Sequence, residues 1–408
     1  METLETVVVG GGQAGLATSH YLKQQGLKHI VLEQSDRPAH VWRDGRWDSF
    51  TLVTPNWALR MPGAEYNGPE PEAFMSRDDV IAYFDRYVDQ FQLPVRCNSR
   101  VDRVDALELG GLRVQTSDET YEANNVVIAT GHEQLPNIPL AASGLSSGIT
   151  QLHSSQYRNP DALPKGAVLV VGTAQSGGQI AEELYQSGRN IYLSVCNAGR
   201  APRRYRGKDI FGWLLDIGFF DIPADRFPVP REKFAPPHVS GKQGGHTLNL
   251  HQFVRDGVTL VGHFRAASGH TIEFAPDLHE TLGRVDGFEK QVTSMVDGYI
   301  QANGLQLPAE ELPELREGYQ QPIVETLDAQ SAGITSVVWA TGYEHDHGLV
   351  KLPVFDHEGY PVQNRGVSEQ PGLYFVGMPW MPGLKTGTLA GVGEVAHHVV
   401  NEMTRVHA

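Results

Sequence analysis

The stretch Val7-Val-Val-Gly10-Gly-Gly12-Gln13-Ala14-Gly15 decides the fold. A β-branched run passes straight into GxGxxG. A helix-like segment over residues 16–25 follows, then Gly26 as a stop and a second apolar run, His29-Ile-Val-Leu-Glu33. Each part has a mechanical job. Gly10 permits the tight turn, Gly12 lets a pyrophosphate approach the backbone, and Gly15 lets helix and strand pack closely. The helix N-terminus supplies amide donors and positive potential. Glu33 then ends the second strand where a carboxylate accepts from a ribose 2′-hydroxyl. The pattern predicts a βαβ unit that holds a dinucleotide.

The unit recurs 162 residues later as Leu169-Val-Val-Gly172-Thr-Ala174-Gln175-Ser176-Gly177, with Gln175 on Gln13 and Gly188 on Gly26. The differences carry the information. Ala174 replaces the middle glycine, and Val195 stands where Glu33 stood. A carboxylate there repels a 2′-phosphate. An apolar residue followed by Arg200, Arg203, Arg204 and Arg206 favours one, so the second unit is expected to prefer NADPH over NADH. Two alternatives stand beside this reading: arginines on a solvated loop, or a second unit that no longer binds. Ser176 sits inside the dinucleotide turn and lacks the leading glycine of a nucleophile elbow.

A second echo links Val126-Val-Ile-Ala-Thr130-Gly131 with Val337-Val-Trp-Ala-Thr341-Gly342. Both read as buried strands that return the chain to a sheet at a domain crossing. The expected fold class is therefore α/β, with two Rossmann-like dinucleotide-binding domains, the second inserted into the first. Residues 1–145 and 336–408 form the outer domain and residues 146–335 the inner one. The run ending at Gly377 and a helix over 387–403 are expected to close the outer domain against a flavin edge. Prolines at 223, 228, 230, 236 and 237 mark residues 200–245 as a loop-rich insertion, read as a mobile lid. His345 and His347 lack a third ligand, and His238, His246 and His251 lack ligand spacing, so all are read as solvated and no metal is expected.

With 408 residues, two domains are the default. The formal net charge of −15 has the wrong sign for tracking phosphate backbones, which argues against nucleic acid. Two cysteines, Cys97 and Cys196, make neither a disulfide framework nor a CxxC redox pair, so redox work needs a cofactor. No basic n-region or long apolar run is evident, and the expectation is a cytoplasmic protein without membrane insertion.

Two nucleotide motifs without a CxxC between them resemble the class B single-component flavin-dependent monooxygenases. That group holds flavin-containing, Baeyer–Villiger and indole-pyruvate monooxygenases. Leu152-His153-Ser-Ser-Gln-Tyr157 matches the second half of the group's fingerprint, although Ser147 and Ile149 replace its phenylalanine and glycine. The run from Trp42 to Asn56 is similar to its flavin-proximal segment, with Ala39-His40 where a glycine often precedes the tryptophan. The resemblance implies FAD at Gly10, Gly12, Gln13, Ala14, Gly15, Glu33 and Trp42. It implies NADPH at Gly172, Gln175, Ser176, Gly177, Arg200, Arg203 and Arg204. Thr130, Gly131, His153, Tyr157, Thr341, Gly342 and Gly377 complete the cofactor-binding set. Asn56 becomes the catalytic candidate, donating to a C4a-(hydro)peroxyflavin. The implied reaction is oxygenation of a small organic molecule with O2, by N- or S-oxygenation or Baeyer–Villiger insertion. Oxidative decarboxylation of a 2-oxo acid, and reduction of a protein partner, stand as alternatives. A homodimer is left open.

Overall fold

Two sheets, each built round one glycine turn, carry the chain. The computed structural model describes residues 2–227, 237–381 and 383–406. In the first sheet, four strands lie parallel beside the opening strand Glu2–Val9 and its neighbours. Their order is Leu373–Phe375, Thr120–Ile128, Glu2–Val9, His29–Leu32, Val95–Arg96. An antiparallel hairpin, Val101–Ala106 with Leu112–Thr116, extends from Thr120–Ile128. The second sheet is parallel throughout, in the order Thr259–Val261, Ile191–Ser194, Ala167–Val171, Ile334–Trp339, Thr150–His153. Its central strand Ala167–Val171 is wholly buried, as a strand covered on both faces should be.

Helices Gln13–Gln24, Arg77–Phe91 and Val392–Val406 cover one face of the first sheet. Ser76 and Asp79 close a reciprocal capping box at the start of Arg77–Phe91, which accounts for the abrupt helix there. Among the described residues no helix is long and apolar enough to cross a membrane.

The sheets refine three sequence expectations. The strand Ile334–Trp339 pairs with Thr150–His153 and Ala167–Val171, so it belongs to the inner sheet. The chain therefore crosses back after about residue 340, not before 336. The C-terminal α-helix is Val392–Val406, preceded by a 3-10 turn at Leu384–Gly387. Gly387 lies so close to Pro379 that an added Cβ would meet its nitrogen at 3.0 Å, and this approach holds the segment off the helical path. The insertion is more ordered than its prolines suggest. Helix Ile210–Asp216 starts at an Asp209 cap, and Phe211, Trp213, Phe219 and Phe220 are buried in one cluster. Residues 228–236, with three of the five prolines behind the lid reading, lie outside the described residues.

Candidate active site

The two glycine turns have the same backbone. Gly10 and Gly172 take φ of +110° and +102°, and a Cβ on either would meet a carbonyl oxygen, of Ala129 or Ala340, at 2.5 Å. A Cβ on Gly15 would lie 1.9 Å from Gly10 O, and one on Gly177 2.0 Å from Gly172 O. These positions exclude any side chain. Gly12 differs: a Cβ there would meet nothing within 4 Å, so the amide face of the first turn is open to a ligand. Gly12 and Ala174 hold matching N-cap conformations, φ/ψ of −82°/−174° and −65°/−173°. The extra methyl of Ala174 is therefore compatible with the same cradle.

Glu33 is buried and directed at the first turn. Its Oε2 accepts from Gly11 N at 2.7 Å and its Oε1 from Ser35 N at 2.9 Å. Two backbone amides thus fix a carboxylate at the place a ribose hydroxyl would reach, and the cradle fits the adenosine end of a dinucleotide. Gln13 Nε2 donates to Gly387 O at 2.8 Å, while Gly377 comes so near Ala14 that a Cβ would lie 2.3 Å from Ala14 Cβ. The C-terminal glycine-rich segment is thereby docked on the first helix N-terminus. In the second cradle Gln175 pairs likewise with the backbone of Val239, which donates to Gln175 Oε1 at 3.2 Å. Ser176 is half-buried at the start of this second helix.

The two Ala-Thr-Gly ends meet. Leu135–Pro136 and Tyr343–Glu344 pair antiparallel, so both crossings between the sheets run side by side. Thr341 Oγ1 donates to Asn137 O, and Gly131 and Gly342 turn with φ of +77° and +79°. Thr130 Oγ1 accepts from Gln134 Nε2 at 2.8 Å.

His153 and Tyr157 are both 0% exposed. The ring of His153 bridges Gly342 O and Ser155 Oγ, each at 2.9 Å, and burial holds it below the ordinary histidine value against the pull of that carbonyl. Tyr157 donates to Glu183 Oε2 at 2.8 Å. Both side chains are thus bonded within the protein, His153 to the second crossing and Tyr157 to the second helix.

Three of the four arginines form ion pairs within the protein. Arg200 is enclosed by two carboxylates, Asp286 Oδ1 at 2.8 Å and Glu289 Oε2 at 2.7 Å. Burial would raise the Asp286 carboxyl, but hydrogen bonds from His251 and Tyr319 with the Arg200 charge hold it down at about 2. Arg203 pairs with Asp209, donates to Val53 O at 2.7 Å and lies over the Phe74 ring at 4.8 Å. Burial draws this guanidinium below its ordinary value against the pull of Asp209. Arg206 meets Asp297 at 2.8 Å. Of the group, Arg204 is exposed and ion-pairs with no carboxylate among the described residues. His238, His251 and His347 are buried, not solvated, and burial together with the Arg200 charge pushes His238 down to about 3. Among the described residues no group of three His, Cys, Asp or Glu side chains is placed to hold a metal ion.

Asn56 opens a 3-10 turn, Asn56–Ala58, and is buried. Its turn is tied to the C-terminal segment through Arg60 N and Leu389 O at 3.2 Å, and Val53, just before it, is held by Arg203. The segment that carries Asn56 is thus tied both to the C-terminal segment and to Arg203 of the inner unit. Asn56 Nδ2 donates to Glu70 O at 2.9 Å, whereas its buried Oδ1 has no partner. The spare group is an acceptor, where the sequence reading expected a donor. Trp42 stands against Phe84 and Phe50, under the Arg46 guanidinium at 5.2 Å. Arg46 itself grips Glu133 through two contacts, 3.0 and 2.7 Å. Sequence reasoning missed this pair, and no local spacing links positions so far apart.

The chain matches the family described as pyridine nucleotide-disulphide oxidoreductase over residues 7–210. It is 30% identical over 402 residues to an oxidoreductase of Geobacillus kaustophilus designated CzcO-like, covering 98% of each chain. It is 30% identical over 210 residues, half of each chain, to the probable indole-3-pyruvate monooxygenase YUCCA1 of Arabidopsis thaliana. Its fold is shared with the flavin-containing monooxygenase from Stenotrophomonas maltophilia, with a TM-score of 0.69 at 21% identity over the whole of both chains. Paired glycine cradles, crossings that run together and similarity along nearly the whole length lead to one conclusion: the chain belongs to the pyridine nucleotide-disulphide oxidoreductase family.

Proposed function

We propose that the protein is an FAD- and NADPH-dependent monooxygenase that oxygenates a small organic molecule. The observation that carries this reading is the presence of two open cradles of one geometry without a thiol pair beside them. Cys97 and Cys196 are both free, so no disulfide relay takes electrons onward from a flavin. Bound FAD accepts hydride from NADPH and reduces O2, and the protein supplies binding, orientation and exclusion of water. Gly10, Gly12, Gly15 and Glu33 hold the FAD end, and Gly172, Ala174 and Gly177 the NADPH end. Asn56, whose buried side chain keeps Oδ1 without a partner within the protein, serves the oxygenating state on the flavin side.

The test is turnover of purified, flavin-loaded protein with NADPH and isotopically labelled oxygen gas, scored across candidate substrates by product mass. One labelled atom in the product supports the reading; the mass separates oxidative decarboxylation, which releases CO2, from the two simple oxygen insertions, and the product's fragmentation separates heteroatom oxygenation from Baeyer–Villiger insertion. Delivery of all NADPH electrons to O2 as hydrogen peroxide with every substrate, with fast transfer to a protein acceptor when one is supplied, overturns it. Asn56→Asp and Asn56→Leu should keep FAD and reduction by NADPH while raising the fraction of electrons lost as peroxide, because either change removes the neutral acceptor. Unchanged coupling in both variants assigns Asn56 to the turn alone.

A further inference from the structure

The flavin-side segment over residues 44–51 lies between the two units and is fastened to both. On the first unit, Arg46 grips Glu133 with its guanidinium over Trp42 and Phe50 at 5.2 and 5.5 Å, and Asp48 Oδ1 meets Arg77 Nη1 at 2.8 Å. On the second, Trp47 is 3% exposed and inserted in the hydrophobic cluster of Tyr157, Leu163 and Ile180. Every other buried member of that cluster comes from residues 157–340. Polar bonds surround this insertion. Asp48 N donates to Arg158 O at 2.8 Å, and Asn159 Nδ2 to Asp48 Oδ2 at 2.7 Å. Arg158 Nη1 donates to Arg46 O at 3.0 Å, and its Nη2 to Asp44 O. Ser49 Oγ donates to Glu183 Oε1 at 2.6 Å while Tyr157 occupies the other oxygen of the same carboxylate. Glu183 stands on Gln175–Gln186, the helix whose N-terminus forms the second cradle.

We propose that residues 44–49 are a positioning clasp that sets the separation of the two cradles, with Trp47 as its anchor and Arg158, Asn159 and Glu183 as its locks. This rests on the two-cofactor reading above. The two sheets are also joined through the paired crossings at Leu135–Pro136 and Tyr343–Glu344, an antiparallel ribbon with two residues on each side, and through Arg203, which donates to Val53 O and lies over the Phe74 ring. The ribbon alone fixes where the units meet but resists rotation poorly. The strap, buried in the inner unit's core at one end and ion-paired to the outer unit at the other, adds an attachment beside the ribbon that opposes rotation. Hydride transfer between the two cofactors needs reacting atoms about 3–3.5 Å apart, and a displacement of about 1 Å costs on the order of a hundredfold in rate. The clasp therefore acts on the rate of flavin reduction, without contacting either cofactor. Tyr157 serves the same clasp, because it fixes Glu183, which in turn receives Ser49.

The experiment compares the wild-type holoprotein with Trp47→Ala, Trp47→Phe and the double variant Ser49→Ala/Asn159→Ala. Two readouts are taken: anaerobic flavin reduction by NADPH across concentrations, and hydrogen exchange along the chain. Trp47→Ala should lower the limiting reduction rate tenfold or more, with FAD content, the NADPH dissociation constant and reoxidation after dithionite reduction unchanged. Exchange should rise over residues 44–51 while the strands of both sheets stay protected. Trp47→Phe, which keeps an aromatic anchor, should restore most of the rate. If Trp47→Ala does not fold, the double variant, which removes only peripheral hydrogen bonds, should lower the rate severalfold with the same pattern. A limiting rate equal to wild type in a variant whose segment exchanges freely overturns the clasp. So does a rate loss matched by weaker NADPH binding or lost FAD, which marks a purely structural residue. If the wild-type flavin takes no electrons from NADPH, the two-cofactor reading fails by itself. The exchange arm then decides the clasp, which stands if loosening is confined to residues 44–51 and falls if exchange is unchanged.

Discussion

In the first cradle Gly11 N donates to Glu33 Oε2 at 2.7 Å. At the same place in the second, Thr173 N and Oγ1 face Cys196 Sγ at 3.3 and 3.4 Å, and Val195, where Glu33 would be, is buried. The turns beneath are alike in kind, with the same two glycines so placed that an added Cβ would meet a carbonyl oxygen at 1.9–2.5 Å. What is common to the cradles is steric and what differs is electrostatic. The contrast teaches that a glycine pattern reports the shape of a nucleotide site reliably, and that its charge must be read from the residues folded around it.

Seven substitutions, six of them in pairs, would break or sharpen that contrast. The largest effect is expected at Arg200. Removing one partner of a buried ion pair costs about 3–5 kcal/mol, so Arg200→Ala should lower the denaturant midpoint strongly, by stranding Asp286 and Glu289, and leave the preference for NADPH over NADH unchanged. Arg204→Ala is the reverse case: normal stability, with the preference falling roughly tenfold if this exposed cation meets the 2′-phosphate. Dissociation constants for the two nicotinamides decide, and a preference lost in Arg200→Ala alone would return that residue to the cofactor.

The paired glycines come next. Gly15→Ala and Gly177→Ala each place a methyl within about 2 Å of a backbone oxygen, an overpacking cost of about 3 kcal/mol. The first should yield protein depleted of FAD, and the second a yellow protein that binds NADPH weakly. Equal loss of both ligands in either variant would mean that the units do not respond independently.

Glu33→Ala should weaken FAD retention by about 1.5–3 kcal/mol, the value of a charge-assisted bond, whereas Cys196→Ala should alter nicotinamide binding by much less. Equilibrium dialysis separates the two outcomes. The smallest effect is expected at Ala39, whose N donates to Gly11 O at 2.9 Å from a left-handed conformation, φ 59°. Ala39→Gly should raise stability by about 0.5–1 kcal/mol by relieving that strain, net of the extra freedom of an unfolded glycine. A lower melting temperature would show that the entropy term dominates.

Much of the fold was legible because its signals are short-ranged. The turns at Gly10 and Gly172, the strands beside them and the matching Ala-Thr-Gly ends are each written within about ten residues. The candidate site was legible only in part. Asn56 was found, but which of its amide atoms is spare depends on Glu70 O, fourteen positions away on a separate turn. Trp47 read as one more aromatic of a flavin-side segment, and nothing near it in the chain says that it enters the core of the other unit.

The sequence by itself determined the two cradles, since a left-handed φ and the exclusion of a Cβ are properties of single residues in a local turn. Only the tertiary structure decided which charges remain available. Arg200 is 86 and 89 positions from the carboxylates that neutralise it, and His153 is 189 from the carbonyl it bridges. Backbone sterics act over a few bonds and leave a periodic trace in the chain. A Coulomb partner or a hydrogen-bond acceptor is chosen by distance in space, and folding alone brings those residues within about 3 Å of each other.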